Sequence, residues 1–166
     1  ISEDLIQRLN AEEGRVVLEG LHCSGIISGI KDKSRIVLRL HNEEAEYYRR
    51  LASTERSVFK KIYLRRESRL LRKWYHHLPP DLSIACLSQS DEECMKQEFG
   101  FRKAHFIPCF IPWQKIRSKT GRGSYCLYHG NMSVSENEAA AVWLIKNVFS
   151  RLQLPFVIAG NSISSH

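Results

Sequence analysis

SYCLYHGNMSVSENEAAAVWLIKNVFSRLQLPFVIAGNS, residues 124–162, is the stretch whose reading decides the fold. A short apolar run at 125–128 leads into the turn His129, Gly130, Asn131. Ser133 with Glu136, or Ser135 with Glu138, has the spacing of a capping box that opens a helix. Ala141, Leu144, Ile145, Val148 and Leu152 then recur at three and four residues, the stripe of a helix laid on a sheet. Residues 155–160, PFVIAG, form a second strand ending in Gly160. Strand, turn, helix, strand is a βαβ unit. Its first turn directs free backbone N–H groups and the positive end of a helix dipole to one point, an arrangement that holds phosphate. Gly130 and Asn131 are therefore candidate diphosphate contacts. The competing reading is that Gly130 only lets a strand turn sharply into a helix. A single Gly is far short of a dinucleotide fingerprint or a Walker loop.

Upstream, residues 113–123 are polar, basic and Gly-containing, and read as a linker. Before them, four apolar runs alternate with helical patterns: 15–19 (RVVLE), 34–40 (SRIVLRL), 81–88 (DLSIACLS) and 104–110 (AHFIPCF). Near-continuous apolar strands between helices indicate an α/β fold, a Rossmann-like parallel sheet with helices on both faces. Helices are expected at 2–13, from 43 to about 52, at 54–77 and at 92–98. Asn42 is the expected cap of the second, Thr54 of the third and Ser90 or Asp91 of the fourth. In helix 54–77, Phe59, Ile62, Tyr63, Leu70, Leu71 and Trp74 are expected to face inward, with Lys and Arg outside. The division that results is 1–112, a partial Rossmann-like domain; 113–123, a linker; and 124–166, the first βαβ of a second domain.

Ligands of open parallel sheets bind at the carboxyl ends of the strands. His41 stands there, after 34–40, and has a pKa range suited to stabilising charge near neutral pH. A half-buried structural histidine is the equal alternative. His22 holds the equivalent place after 15–19.

With 166 residues and 43% hydrophobic content the chain can bury a core, and its net charge is +7. No apolar run approaches the roughly 18–20 residues that span a bilayer. The basic residues concentrate at 49–73 and 102–122; without a known binding motif, nucleic acid is not an expected partner. An anionic membrane surface is the further reading of helix 54–77. Five cysteines without CxxC spacing suggest buried thiols and a reducing, cytoplasmic compartment. No second ligand pair answers His22 and Cys23, so no metal site is expected, and no cofactor.

Three stretches carry a family likeness: IVLRLHNEEAEYYRRLA at 36–52, DLSIACLSQSDEECM at 81–95 and YCLYHGNMSVSENEAAAVWLI at 125–145. Together they resemble nucleotide-sugar glycosyltransferases of the GT-B fold, in the group that acts on bacterial surface polysaccharides. The resemblance implies two Rossmann-like domains, the first holding the acceptor and the second the nucleotide-sugar donor. It implies that His41 reaches the transferred sugar or its phosphate. By the same resemblance Gly130, Asn131 and Gly160 border the diphosphate, while His22 and Asn42 lie on the acceptor side. Family members are considerably longer, and the first strand with its Gly-rich loop, most of the donor domain and the later Glu-containing donor motif have no counterpart here. The expectation is thus an incomplete piece of a transferase, inactive alone, whose parent moves a hexose from a nucleotide diphosphate sugar to a glycan or lipid-linked acceptor, possible peripheral contact with a membrane included. The alternative is a non-enzymatic α/β module that forms a homodimer through the open sheet edge at 155–160.

Overall fold

The computed structural model describes residues 2–55, 57–118 and 120–162. The chain divides into two compact units, Ile1–Pro112 and Trp113–His166. In the first, α1 (Glu3–Ala11) precedes β1 (Val16–Glu19), a 3-10 segment (Leu21–Gly29), a short 3-10 turn (Lys33–Arg35) and β2 (Ile36–Leu40). Helices α2 (Glu44–Thr54) and α3 (Val58–His77) follow, then β3 (Ser83–Cys86), α4 (Gln89–Gln97) and β4 (Lys103–Phe106). The four strands form one parallel sheet in the order β1-β2-β3-β4. This is the α/β, Rossmann-like arrangement of a parallel sheet flanked by helices.

One face of this sheet is sealed. Ile36, Leu38 and Leu40 of β2 are 0–1% exposed, flanked by Val16 and Leu18 on one side and by Ile84 and Cys86 on the other. Each fully buried aliphatic side chain stabilises the fold by about 1.5–3 kcal/mol. The opposite face is looser: Val17 is 57% exposed, and Glu19, Lys103 and His105 are open to solvent.

Helix α3 corrects the expectation most. Phe59, Ile62, Tyr63, Leu70 and Trp74, expected inside, are all exposed; of the six, only Leu71 packs against the core. The face that packs carries Ser68 and Tyr75 instead. Ser68 Oγ donates to the carbonyl of Ala45 at 2.8 Å, and Ala45 and Ala52 of α2 are fully buried. Small residues on both helices allow a close approach that aromatic rings would prevent. Tyr75 is the exception, seated against Phe99 at 4.6 Å between ring centroids.

The caps shift as well. Glu43, not Asn42, caps α2, accepting from the amides of Ala45 and Glu46. Thr54 is the last residue of α2 rather than the cap of α3, whose cap position is Ser57, without a side-chain hydrogen bond. Ser88 rather than Ser90 or Asp91 caps α4, so that helix begins three residues before the expected start. Strand β4 ends at Phe106, short of the expected 110, because Pro108 has no N–H to offer a ladder.

The second unit holds β5 (Cys126–His129), α5 (Ser135–Asn147), a 3-10 turn (Phe149–Arg151) and β6 (Phe156–Ala159). The two strands pair in parallel, Cys126 opposite Phe156 and His129 opposite Ala159. Phe149 stacks on Phe156 with centroids 3.9 Å apart. The Ser133–Glu136 capping box does not form: the cap position is Val134, and Ser133 donates its hydroxyl to Asn131. The alternative box rests on the side chain of Ser135, which lies outside the described residues. Of the expected stripe, Ala141 is buried and Leu144 and Val148 are half-buried, whereas Ile145 and Leu152 are 46% and 51% exposed.

Candidate functional site

In the first unit the candidate residues collect where β1 and β2 end. Gly20, directly after β1, has φ +89°, a left-handed value that glycine adopts without strain. A Cβ at this position would lie 2.6 Å from Cε1 of His22, so the imidazole occupies the space that glycine leaves. The Gly20 amide donates to the carbonyl of Arg39 at 2.8 Å, tying the two strand ends together.

His41 is 54% exposed in its side chain, and its Nε2 lies 3.4 Å from Oε2 of Glu19. The same oxygen accepts from Nη1 of Arg39 at 2.9 Å. Glu19 and Arg39 are partners in the β1–β2 register, which explains how residues twenty positions apart share one oxygen. Sequence reading missed both. The available signal was the parallel pairing itself, because a carboxylate ends one strand and a guanidinium stands one residue inside the end of its neighbour. The shared carboxylate oxygen can orient the His41 ring, with Arg39 holding that carboxylate in place.

Asn42, released from capping, sits half-buried between His41 and the helix. Glu43 beside it is 6% exposed, and burial raises its carboxyl above the ordinary range although two amide donors oppose the shift. Burial likewise pushes the Cys86 thiol up to about 12, which leaves it protonated and unreactive at neutral pH. Ser88 is committed to Asp91, accepting from its amide at 3.1 Å and donating to its carboxylate at 2.7 Å. All five cysteines are free thiols. Among the described residues no group of three or more His, Cys, Asp and Glu is arranged to hold a metal ion.

In the second unit Gly130, Asn131 and Gly160 are brought together at the carboxyl ends of β5 and β6. The Gly130 amide donates to Ala159 O at 3.1 Å and the Met132 amide to Asn161 O at 2.9 Å. Gly160 has φ +157°, and a Cβ on it would fall 1.8 Å from the carbonyl oxygen of Gly130. The strict requirement for glycine thus belongs to Gly160. At Gly130 an added Cβ would meet Asn137 Nδ2 and Met132 Cε at 3.4 Å, an ordinary contact.

Asn131 organises the turn. Its side-chain oxygen accepts from the amide of Ser133 at 3.0 Å and from the Ser133 hydroxyl at 2.8 Å. Its backbone carbonyl accepts from the side-chain amide of Asn137 at 3.0 Å, and Tyr128 Oη donates to Asn137 O at 3.2 Å. Asn137 was not singled out from the sequence; its partner is six residues away on a loop whose shape the spacing does not reveal. The result is a pre-built turn that leads from a strand end into the first turn of α5, with Glu136 and Glu138 already near that positive pole.

No protein-family model and no solved structure matches the chain. The chain is 27% identical over 162 residues to a Klebsiella pneumoniae protein described as "Uncharacterized 44.6 kDa protein in cps region". That match covers 93% of this chain and 41% of the relative, so the chain spans less than half of that protein's length. No helix among the described residues is long and apolar enough to cross a membrane.

Proposed function

We propose that the chain is part of a GT-B glycosyltransferase that moves a hexose from a nucleotide diphosphate sugar to a carbohydrate or lipid-linked acceptor. The observation that carries this reading is the turn where Gly130 and Gly160 meet at the paired ends of two parallel strands, beside the N-terminus of a helix. The likeness to a protein of a cps region, the name used for capsule loci, supports a role in polysaccharide biosynthesis.

In this reading the donor's diphosphate lies along Gly130, Asn131 and Gly160, where the positive pole at the start of α5 faces the charge that develops as the anomeric carbon–oxygen bond breaks. The acceptor hydroxyl attacks that carbon as the nucleoside diphosphate departs, and the hydroxyl proton passes to the departing phosphate oxygen. His41, held by Glu19, donates a hydrogen bond to the transferred sugar or the departing phosphate, and His22 and Asn42 contact the acceptor. Calorimetric titration of the full-length protein with UDP- and GDP-hexoses tests the reading. Saturable binding by one donor class is expected, with Asn131→Ala weakening it more than about tenfold, or about 1.4 kcal/mol. Absence of binding to every nucleotide sugar by the intact protein would sink it.

A second reading is favoured by one observation. Leu127 and Val157 stand opposite each other on the sheet of the second unit and are 54% and 41% exposed. A non-enzymatic module that pairs through the edge of β6 would use this surface. It predicts a concentration-dependent dimer of the full-length protein that binds no nucleotide sugar.

A further inference from the structure

We propose that α3 is a membrane-surface helix that docks the protein on a bilayer of anionic lipid. Its two sides meet different surroundings. Ser68, Leu71 and Tyr75 face the protein, as described above. At about 100° per residue, Phe59, Ile62, Tyr63 and Leu70 fall on the opposite side. Those four side chains are 87%, 60%, 57% and 47% exposed. An outward stripe of this kind on a 20-residue helix has no role in the core of the unit.

The charge around the stripe selects its occupant. Over Val58–His77 there are seven Lys and Arg against the single acid Glu67. Arg65, Arg66, Arg69 and Lys73 adjoin the apolar side chains on the outer surface. Among the described residues, only Arg72 of the seven is in an ion pair, with Glu98. A second copy of the same helix would bring like charges together. A polyanion such as RNA would satisfy the bases and leave Phe59 and Ile62 without a partner. An anionic lipid surface satisfies both, with apolar side chains at the acyl boundary and guanidinium groups at the phosphates. The inference rests on α3 alone and holds whether or not a sugar donor binds the second unit.

The test is flotation of the purified full-length protein with two kinds of vesicle: pure phosphatidylcholine, and phosphatidylcholine with about 30% phosphatidylglycerol. Binding to the anionic vesicles alone, weakened by salt, is expected. Arg65→Gln/Arg66→Gln/Arg69→Gln should lower partitioning on the order of 100-fold. Phe59→Ser/Ile62→Ser should lower it more than about tenfold. All five positions are on the helix exterior, so circular dichroism should be unchanged. Lys115→Gln/Arg117→Gln/Arg122→Gln, in the other basic segment, should bind as the unaltered chain does. Equal binding to both vesicle types, no binding to either, or loss only in the 115/117/122 variant would overturn the proposal. So would a dimer or an RNA complex that depends on these α3 residues without any vesicle binding.

Discussion

The two units of this chain share a strand–helix–strand plan and differ in how much of it they bury. In the first, β2 lies between two neighbours and its side chains at 36, 38 and 40 are sealed. In the second, a pair of strands and one helix bury only Met132 and Ala141 among the described hydrophobic residues. A parallel pair with one helix covers one face, and Leu127 and Val157 remain exposed on the other. The difference teaches that a βαβ repeat specifies pairing and direction, whereas a core needs the neighbouring layers.

The largest effect that would break this comparison is at β2. Leu38→Ala should destabilise the first unit by about 2–5 kcal/mol in urea titrations, the cost of a cavity in a closed core. Leu127→Ala in the second unit should cost less than about 0.5 kcal/mol. Equal costs would mean that the second unit is as well sealed as the first.

Next is Gly160→Ala. The new methyl meets the Gly130 carbonyl, part of the backbone and unable to swing aside, so strain of about 1–3 kcal/mol or more is expected. Amide exchange in β5 and β6 should accelerate, with β2 and β3 unaffected. Gly130→Ala should do far less, and Gly14→Ala, with nothing within 4 Å of its added Cβ, should be neutral or mildly stabilising.

A smaller and opposite pair of effects lies at the start of α2. Burial raises the Glu43 pKa above 4.5, so the unfolded chain releases its proton first. Its stabilising contribution is complete below that value and declines as pH rises through the folded-state pKa. Glu46, hydrogen-bonded by Arg49 and Arg50, is lowered from 4.5 to about 2; its contribution is present above 4.5 and is lost as pH falls toward 2. Glu43→Gln should therefore flatten the stability profile on the alkaline side of 4.5, and Glu46→Gln on the acid side. Urea midpoints measured across pH 2–7 would show the two slopes, and the same sign for both would contradict the assignment.

The parallel direction of the strands was legible because near-continuous apolar runs such as 34–40 admit few alternatives to a buried parallel strand, whereas their order in the sheet was not read from the sequence. Gly160 was legible as a strand-end glycine, although the reason, contact with the Gly130 carbonyl, depends on two segments thirty residues apart. The facing of α3 was not legible. Its stripe of Phe59, Ile62 and Tyr63 has the period of a core face, and only the pairing of Ser68 with Ala45 reveals which side approaches α2. The Glu19–Arg39–His41 cluster was hidden for the same kind of reason, since strand register decides which side chains share an edge. Asn42 was misread as a cap because Asn is a stronger capping type than Glu, yet buried Glu43 reaches two amides.

The central claim is that the Gly130–Asn131–Gly160 turn holds a nucleotide diphosphate. Amide chemical shifts of the ¹⁵N-labelled full-length protein, followed during titration with UDP and GDP, test it most directly. Saturable shifts centred on these three residues and on the first turn of α5 are the predicted result. Unchanged shifts there, or saturable shifts confined to other strand ends, would contradict it.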